Sequence, residues 1–177
     1  MYDCKNEEEV IGRCLDSVKD IVDEINIVDT GSTDSTKQVV AQYTDRIFDF
    51  KWIHHFAAAR NFSFQQATKE YILWLDADDV ILEEDRQKLK ALKASLTSDI
   101  DAVSMNYHLS FDHEGNADAL IRRYRLVRRE KQFQWIGAVH EYLEVCGMLF
   151  DSDVAVSHLP LTHDHSRNIT IYRQLIE

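Results

Sequence analysis

Hydrophobic positions along this chain change their period in a regular way. Val10, Ile11, Leu15, Val18 and Val22 recur at helical spacing after Asn6 and the acidic Glu7-Glu8-Glu9, which predicts a helix over residues 7–20. A short β-branched strand follows at Glu24-Ile25-Asn26-Ile27-Val28-Asp29. Gly31-Ser32-Thr33-Asp34-Ser35-Thr36 supplies turn and cap chemistry for a second helix over residues 35–42. Arg46-Ile47-Phe48-Asp49-Phe50 reads as a strand and residues 56–68 as a helix. Tyr71-Ile72-Leu73-Trp74-Leu75 is an unbroken apolar run, the pattern of a strand buried on both faces. An amphipathic helix over residues 83–96 completes an alternation that predicts right-handed βαβ units.

From Asp101 the texture changes. Strand-like stretches at residues 103–111, 120–127 and 139–145, with a turn at Glu114-Gly115-Asn116, predict antiparallel additions to the parallel half. The expected class is α/β: an open Rossmann-like mixed sheet, mostly parallel, with helices on both faces. The length of 177 residues suits one core, and one proline with five glycines leaves no linker, so residues 1–177 read as a single domain. Residues 171–177 read as a helix stopped in mid-course, so a fragment of a longer chain is expected.

Charge narrows the function. The formal net charge is -11, from 31 acidic and 20 basic residues, and such a surface repels nucleic acid. One basic run opposes the trend: Arg122, Arg123, Arg125, Arg128, Arg129 and Lys131. It is either a solvated strand edge or a positive field beside a site for phosphates or an acidic acceptor. Cys4, Cys14 and Cys146 form no C-x-x-C pair, which suits reduced thiols and a cytoplasmic protein. No apolar run approaches the roughly 20 residues that a transmembrane helix needs, and no signal peptide opens the chain.

The strongest chemical signal closes the buried strand: Asp76-Ala77-Asp78-Asp79. Carboxylates at the carboxyl end of such a strand are costly unless something positive sits there, and ligands of open α/β sheets bind at that end. Asp76 and Asp78 are two apart, so an extended backbone turns both to one side, where they suit Mg²⁺ or Mn²⁺ with phosphate oxygens. Asp29 likewise ends a β-branched strand before small polar residues that open a helix. Its carboxylate can accept hydrogen bonds from a base or ribose, while helix-start amides favour anions.

Four ordered motifs carry a family resemblance: Lys5-Asn6-Glu7-Glu8, Val28-Asp29-Thr30-Gly31-Ser32-Thr33-Asp34, Ala59-Arg60-Asn61 and Leu75-Asp76-Ala77-Asp78-Asp79. Together they resemble family 2 glycosyltransferases of the GT-A fold, in the bacterial branch where helical repeats often follow this domain. The resemblance implies a nucleotide-sugar half at about residues 1–100 and an acceptor half at about 101–177. It implies Asp29, Arg60 and Asp76 as nucleotide-sugar contacts, Asp78 as a metal ligand and His163 as the late histidine completing the metal shell. Glu141, in Gly137-Ala138-Val139-His140-Glu141, is implied as general base. The reaction implied is an inverting transfer of a hexose from a nucleoside-diphosphate sugar, with a UDP-sugar favoured and Mn²⁺ or Mg²⁺ as cofactor. The acceptor is left open among a glycan, a lipid-linked molecule and a peptide.

Three departures bear on that reading. Thr30 stands where many members have a second aspartate, so base recognition is expected to be rewired. The first strand is reduced to Met1-Tyr2-Asp3-Cys4, which thins one wall of the nucleotide pocket and predicts weak donor binding. His165 stands where the branch usually has glycine. Two alternatives remain: a degenerate, non-catalytic nucleotide- or metal-binding module, and a haloacid-dehalogenase-type phosphatase built on Asp76-x-Asp78-x-Val80.

Overall fold

The computed structural model describes residues 2–161 and 171–172, with backbone alone at Tyr2 and Asp3. Strands and helices alternate first: β1 (Tyr2–Cys4), α1 (Ile11–Asp16), β2 (Ile27–Asp29), α2 (Thr36–Val40), β3 (Ile47–Asp49), α3 (Phe56–Gln65), β4 (Tyr71–Leu73), β5 (Asp79–Val80) and α4 (Glu83–Ser95). Strands then dominate: β6 (Ala102–Phe111), β7 (Ala117–Arg128), β8 (Gln134–Ile136), β9 (Tyr142–Glu144) and β10 (Leu149–His158).

The α/β class holds, with the parallel pairing concentrated at the start. β1, β2 and β3 pair side by side in parallel. A five-stranded sheet runs β4-β7-β6-β10-β5, in which β6 and β10 are parallel and the other neighbours antiparallel. β8 and β9 form a small antiparallel pair. Asp29, the last residue of β2, and Asp76, just past β4, therefore belong to two different hydrogen-bonded ladders.

The apolar run around β4 explains how the sheet is covered on both faces. Tyr71, Leu73 and Leu75 pack into the core shared with Ile11 and Leu15 of α1 and Leu89 of α4. Ile72 turns the other way, into a cluster with Ala102, Val127 and Phe133 that also takes in Phe64 of α3. Trp74 follows Ile72 to that face, against Ala57 and Trp135. Period-two alternation between two apolar environments gives a run with no polar position.

Several elements are shorter than their sequence pattern. α1 stops at Asp16 because the chain tightens into three-residue turns, with Val18 N–H donating to Leu15 O at 3.1 Å and Ile21 N–H to Val18 O at 2.8 Å. Val18 stays fully buried and Ile21 nearly so, which is why the apolar spacing outlasts the helix. The strand expected over 139–145 shrinks to β9, because Gly137 (φ 103°) and His140 (φ 54°) adopt left-handed backbone that a strand cannot pass through. β5, β8 and β10 were not anticipated. β10 begins with exposed Leu149, Phe150 and Asp151 and buries only its second half, so its pattern lacks a single period.

Candidate active site

Asp76 and the residues after it leave β4 in a turn that locks itself. Asp79 N–H donates to Asp76 O at 3.0 Å, and Asp76 N–H returns a bond to Asp79 Oδ2 at 2.8 Å. Asp79 is fully buried, and its Oδ2 also receives Arg125 Nη1 at 2.8 Å. Arg125 is itself fully buried and lies over the rings of Trp74 and Tyr107, at 3.9 and 4.3 Å. It sits where the β6–β7 register shifts between Val103 and Ser104, a bulge that re-aims one side chain. This arginine was hidden inside the basic run of the sequence, and it is the positive group that offsets the carboxylates of the turn.

With Asp79 turned inward, Asp76 and Asp78 face a cavity of roughly 610 Å³. Arg60 and Glu141 line the same cavity, together with Trp74, Trp135 and Tyr142. Arg60 Nη2 donates to Asp76 Oδ1 and its Nε to Glu141 Oε1, both at 2.7 Å. Burial pushes the Asp76 carboxyl upward, but Arg60 and Arg125 outweigh it and hold the group below the ordinary carboxylate range. Arg122 and Arg123 also line the cavity, whereas Arg128 pairs with Glu130 and Lys131 with Asp101. The basic run thus divides between a cavity wall and ordinary ion pairs.

His158 reaches the site through β10. Antiparallel pairing sets His158 opposite Asp79 and Ser157 opposite Val80, and Leu159 N–H donates to Asp78 O at 3.0 Å. His158 Nδ1 lies 3.4 Å from Asp78 Oδ1 and 3.6 Å from Asp79 Oδ1. The Asp78 and Asp79 carboxylates beside it push its pKa up to about 10. Asp78, Asp79 and His158 offer ligand atoms within 4.8 Å of one another. Asp79 Oδ1 is buried with no hydrogen-bond partner among the described residues, which is the state expected of an oxygen that a cation would satisfy. Two carboxylates and an imidazole suit Mn²⁺ or Mg²⁺. His163, expected in this role, lies outside the described residues, as does His165.

Asp29 is not among the residues lining the cavity. It is 2% exposed, and its oxygens accept Gly31 N–H and Ser32 N–H at 3.0 Å. The amides that open α2 are also taken by the chain itself. Glu8 Oε2 accepts Ser35 N–H at 2.7 Å, and Asn6 Oδ1 accepts Thr33 N–H at 2.8 Å. The first two motifs of the sequence therefore hold each other, and the expected anion site at this helix start is filled by Glu8 and Asp34. Thr30 is buried and donates its hydroxyl to Cys4 O at 3.0 Å, stapling β2 to β1.

Known proteins resemble this chain in sequence or in fold. A TPR repeat-containing protein of Synechococcus elongatus is 39% identical over 87 residues, covering 49% of this chain and 22% of that relative. The SPbeta prophage-derived glycosyltransferase SunS of Bacillus subtilis is 32% identical over 139 residues, covering 77% of this chain and 32% of its own length. The chain thus spans between about a fifth and a third of these curated relatives. Glucosyl-3-phosphoglycerate synthase from Mycobacterium tuberculosis, solved with Mn²⁺ and uridine-diphosphate-glucose, has the same fold at a TM-score of 0.65 and 14% identity, covering 99% of this chain and 74% of that one. A family model described as "Glycosyl transferase family 2" matches residues 3–155, and the chain belongs to that family.

Proposed function

We propose that this chain is the catalytic domain of an inverting, metal-dependent glycosyltransferase that uses a nucleoside-diphosphate sugar, with a UDP-sugar first in line. The observation that carries the reading is the meeting of Asp76, Asp78 and Glu141 on one cavity, from positions far apart in sequence. The M. tuberculosis neighbour, solved with Mn²⁺ and uridine-diphosphate-glucose, supports the choice of donor and ion. Family membership removes the phosphatase alternative.

Asp78 and His158 would hold Mn²⁺ or Mg²⁺, with Asp79 Oδ1 facing the same point. Such an ion, when bound, would supply positive charge to offset the negative charge that develops on the departing diphosphate. Asp76 accepts hydrogen bonds from hydroxyls of the ribose or the donor sugar. Asp29 serves the nucleotide side through the turn it holds. Glu141 takes the proton of the acceptor nucleophile as that atom attacks the anomeric carbon. The bond from that carbon to the diphosphate breaks on the opposite face, so the configuration inverts. Among the described residues no helix is long and apolar enough to cross a membrane. A cytoplasmic location, and an acceptor among glycans, lipid-linked molecules and peptides, belong to the same proposal.

A panel of UDP-, GDP- and CDP-sugars, screened with and without Mn²⁺ and followed by assay of nucleotide release, tests this reading. Metal-dependent binding with turnover of one donor is the expected result. Binding without turnover under every acceptor class would favour the non-catalytic module, and no binding at all would overturn the donor assignment.

A further inference from the structure

Arg60 makes contacts that a simple donor ligand does not need. Its side chain is 12% exposed and that of Glu141 is 13% exposed, so their 2.7 Å bond is largely shielded from water. The guanidinium carbon lies 4.7 Å from the ring centre of Trp135 and 5.1 Å from that of Trp74. Those two rings meet edge to face at 4.7 Å, which fixes the slot in which the guanidinium lies. Among the described residues Arg60 is the one hydrogen-bond partner of the Glu141 carboxylate. Its other arm holds Asp76.

The backbone around this slot is held by other groups. Asn61 brackets Trp135, donating to its carbonyl at 3.0 Å and accepting its N–H at 2.8 Å. Phe56 N–H donates to Ala138 O at 3.0 Å, joining the start of α3 to the loop before Glu141. The loop is therefore placed without Arg60, and what Arg60 adds is the direction of the Glu141 side chain.

We infer that Arg60 is a positioning residue for Glu141: one planar guanidinium, gripped by Trp74 and Trp135, sets the acceptor-side carboxylate relative to donor-side Asp76. The inference rests on the glycosyltransferase reading for its catalytic meaning and deepens it. Lysine cannot replace this arginine, because an ammonium is a point charge that neither bridges two carboxylates in a plane nor fills the slot between two indoles.

The test uses Arg60→Lys, Glu141→Gln and the double variant in the full chain, with three readouts. UDP affinity in Mn²⁺ is measured by calorimetry, release of UDP from UDP-glucose and UDP-N-acetylglucosamine reads turnover, and urea unfolding reads stability. A positioning role predicts that Arg60→Lys lowers kcat by about 10²-fold, the scale of a misplacement near 1 Å, with UDP affinity within about threefold of wild type. It also predicts that Arg60→Lys costs little further turnover once Glu141 is Gln. Full multiplication of the two losses, or collapse of UDP affinity in Arg60→Lys, would make Arg60 a donor ligand and overturn the inference. If the wild type releases no UDP from either sugar, the transferase reading of these donors fails separately. The unfolding cycle then decides the strut: non-additive losses of stability in the pair uphold it, and additive losses remove it.

Discussion

His158 Nδ1 lies 3.4 Å from Asp78 Oδ1, although the two residues belong to the end of the last described strand and to the turn after β4. The contact exists because β10 pairs antiparallel with β5 and delivers its final residue opposite Asp79. It makes the candidate metal centre a joint product of two distant segments.

That relationship predicts a pH dependence. An imidazole binds metal only when neutral, and the neighbouring Asp78 and Asp79 carboxylates raise the His158 pKa to about 10. Metal and proton therefore compete, and apparent Mn²⁺ affinity should rise by about tenfold per pH unit between about pH 7 and 9. Without metal the sign reverses: the raised pKa contributes stability in full below the ordinary value of 6.5 and loses it as pH climbs through about 10. Mn²⁺ titrations at three pH values check the first statement, with His158→Ala as the control that should flatten the slope. A wild-type affinity independent of pH would remove His158 from the shell.

The buried pair of Arg125 and Asp79 predicts a large asymmetry in stability. Arg125→Met strips the fully buried Asp79 carboxylate of its bonded guanidinium and leaves it only His158, 3.6 Å away, which costs about 3–5 kcal/mol. Asp79→Asn in the same chain removes the stranded charge and should recover part of that loss. Urea denaturation of the single and double variants measures both. A loss below about 1 kcal/mol for Arg125→Met would give this pair no more weight than an exposed one, contrary to its burial.

Much of this was legible in the chain because burial leaves a direct imprint. The run at β4 announced a strand covered on both faces, and Asp76 and Asp78 two residues apart do face one cavity. What stayed hidden were partners. Arg125 sits among five other basic residues, and nothing local distinguishes the one that a bulge turns inward. Nothing in the sequence sets Asp79 apart from Asp76 and Asp78, yet it holds the turn from beneath. The amides opening α2 looked free for phosphate because the pairing of Glu8 with Ser35 is a tertiary contact across 27 residues. His158 was one of eight histidines, and only the register of an unanticipated strand singles it out.

Glu141 should act in chemistry rather than in donor binding. Glu141→Gln keeps the size of the side chain and a hydrogen bond to Arg60 but cannot take a proton. Turnover should fall by about 10²–10⁴-fold, the usual weight of general-base assistance, while UDP affinity stays close to wild type. Steady-state kinetics beside calorimetry separates the two. A variant that transfers sugar at the wild-type rate would move the base elsewhere, and a variant that loses UDP would make Glu141 part of the donor shell.

Asp78 is the residue on which the proposed donor site depends most. Asp76, Asp78 and a diphosphate repel one another unless a cation lies between them, so the proposed function requires nucleotide binding that depends on metal and on this carboxylate. The measurement is a calorimetric titration of UDP into wild type and Asp78→Asn, each with Mn²⁺ and with chelator. The account predicts that Mn²⁺ strengthens UDP binding to the wild type and that Asp78→Asn loses this metal-dependent part while remaining folded. Equal UDP affinity in the two proteins, with or without Mn²⁺, would contradict it.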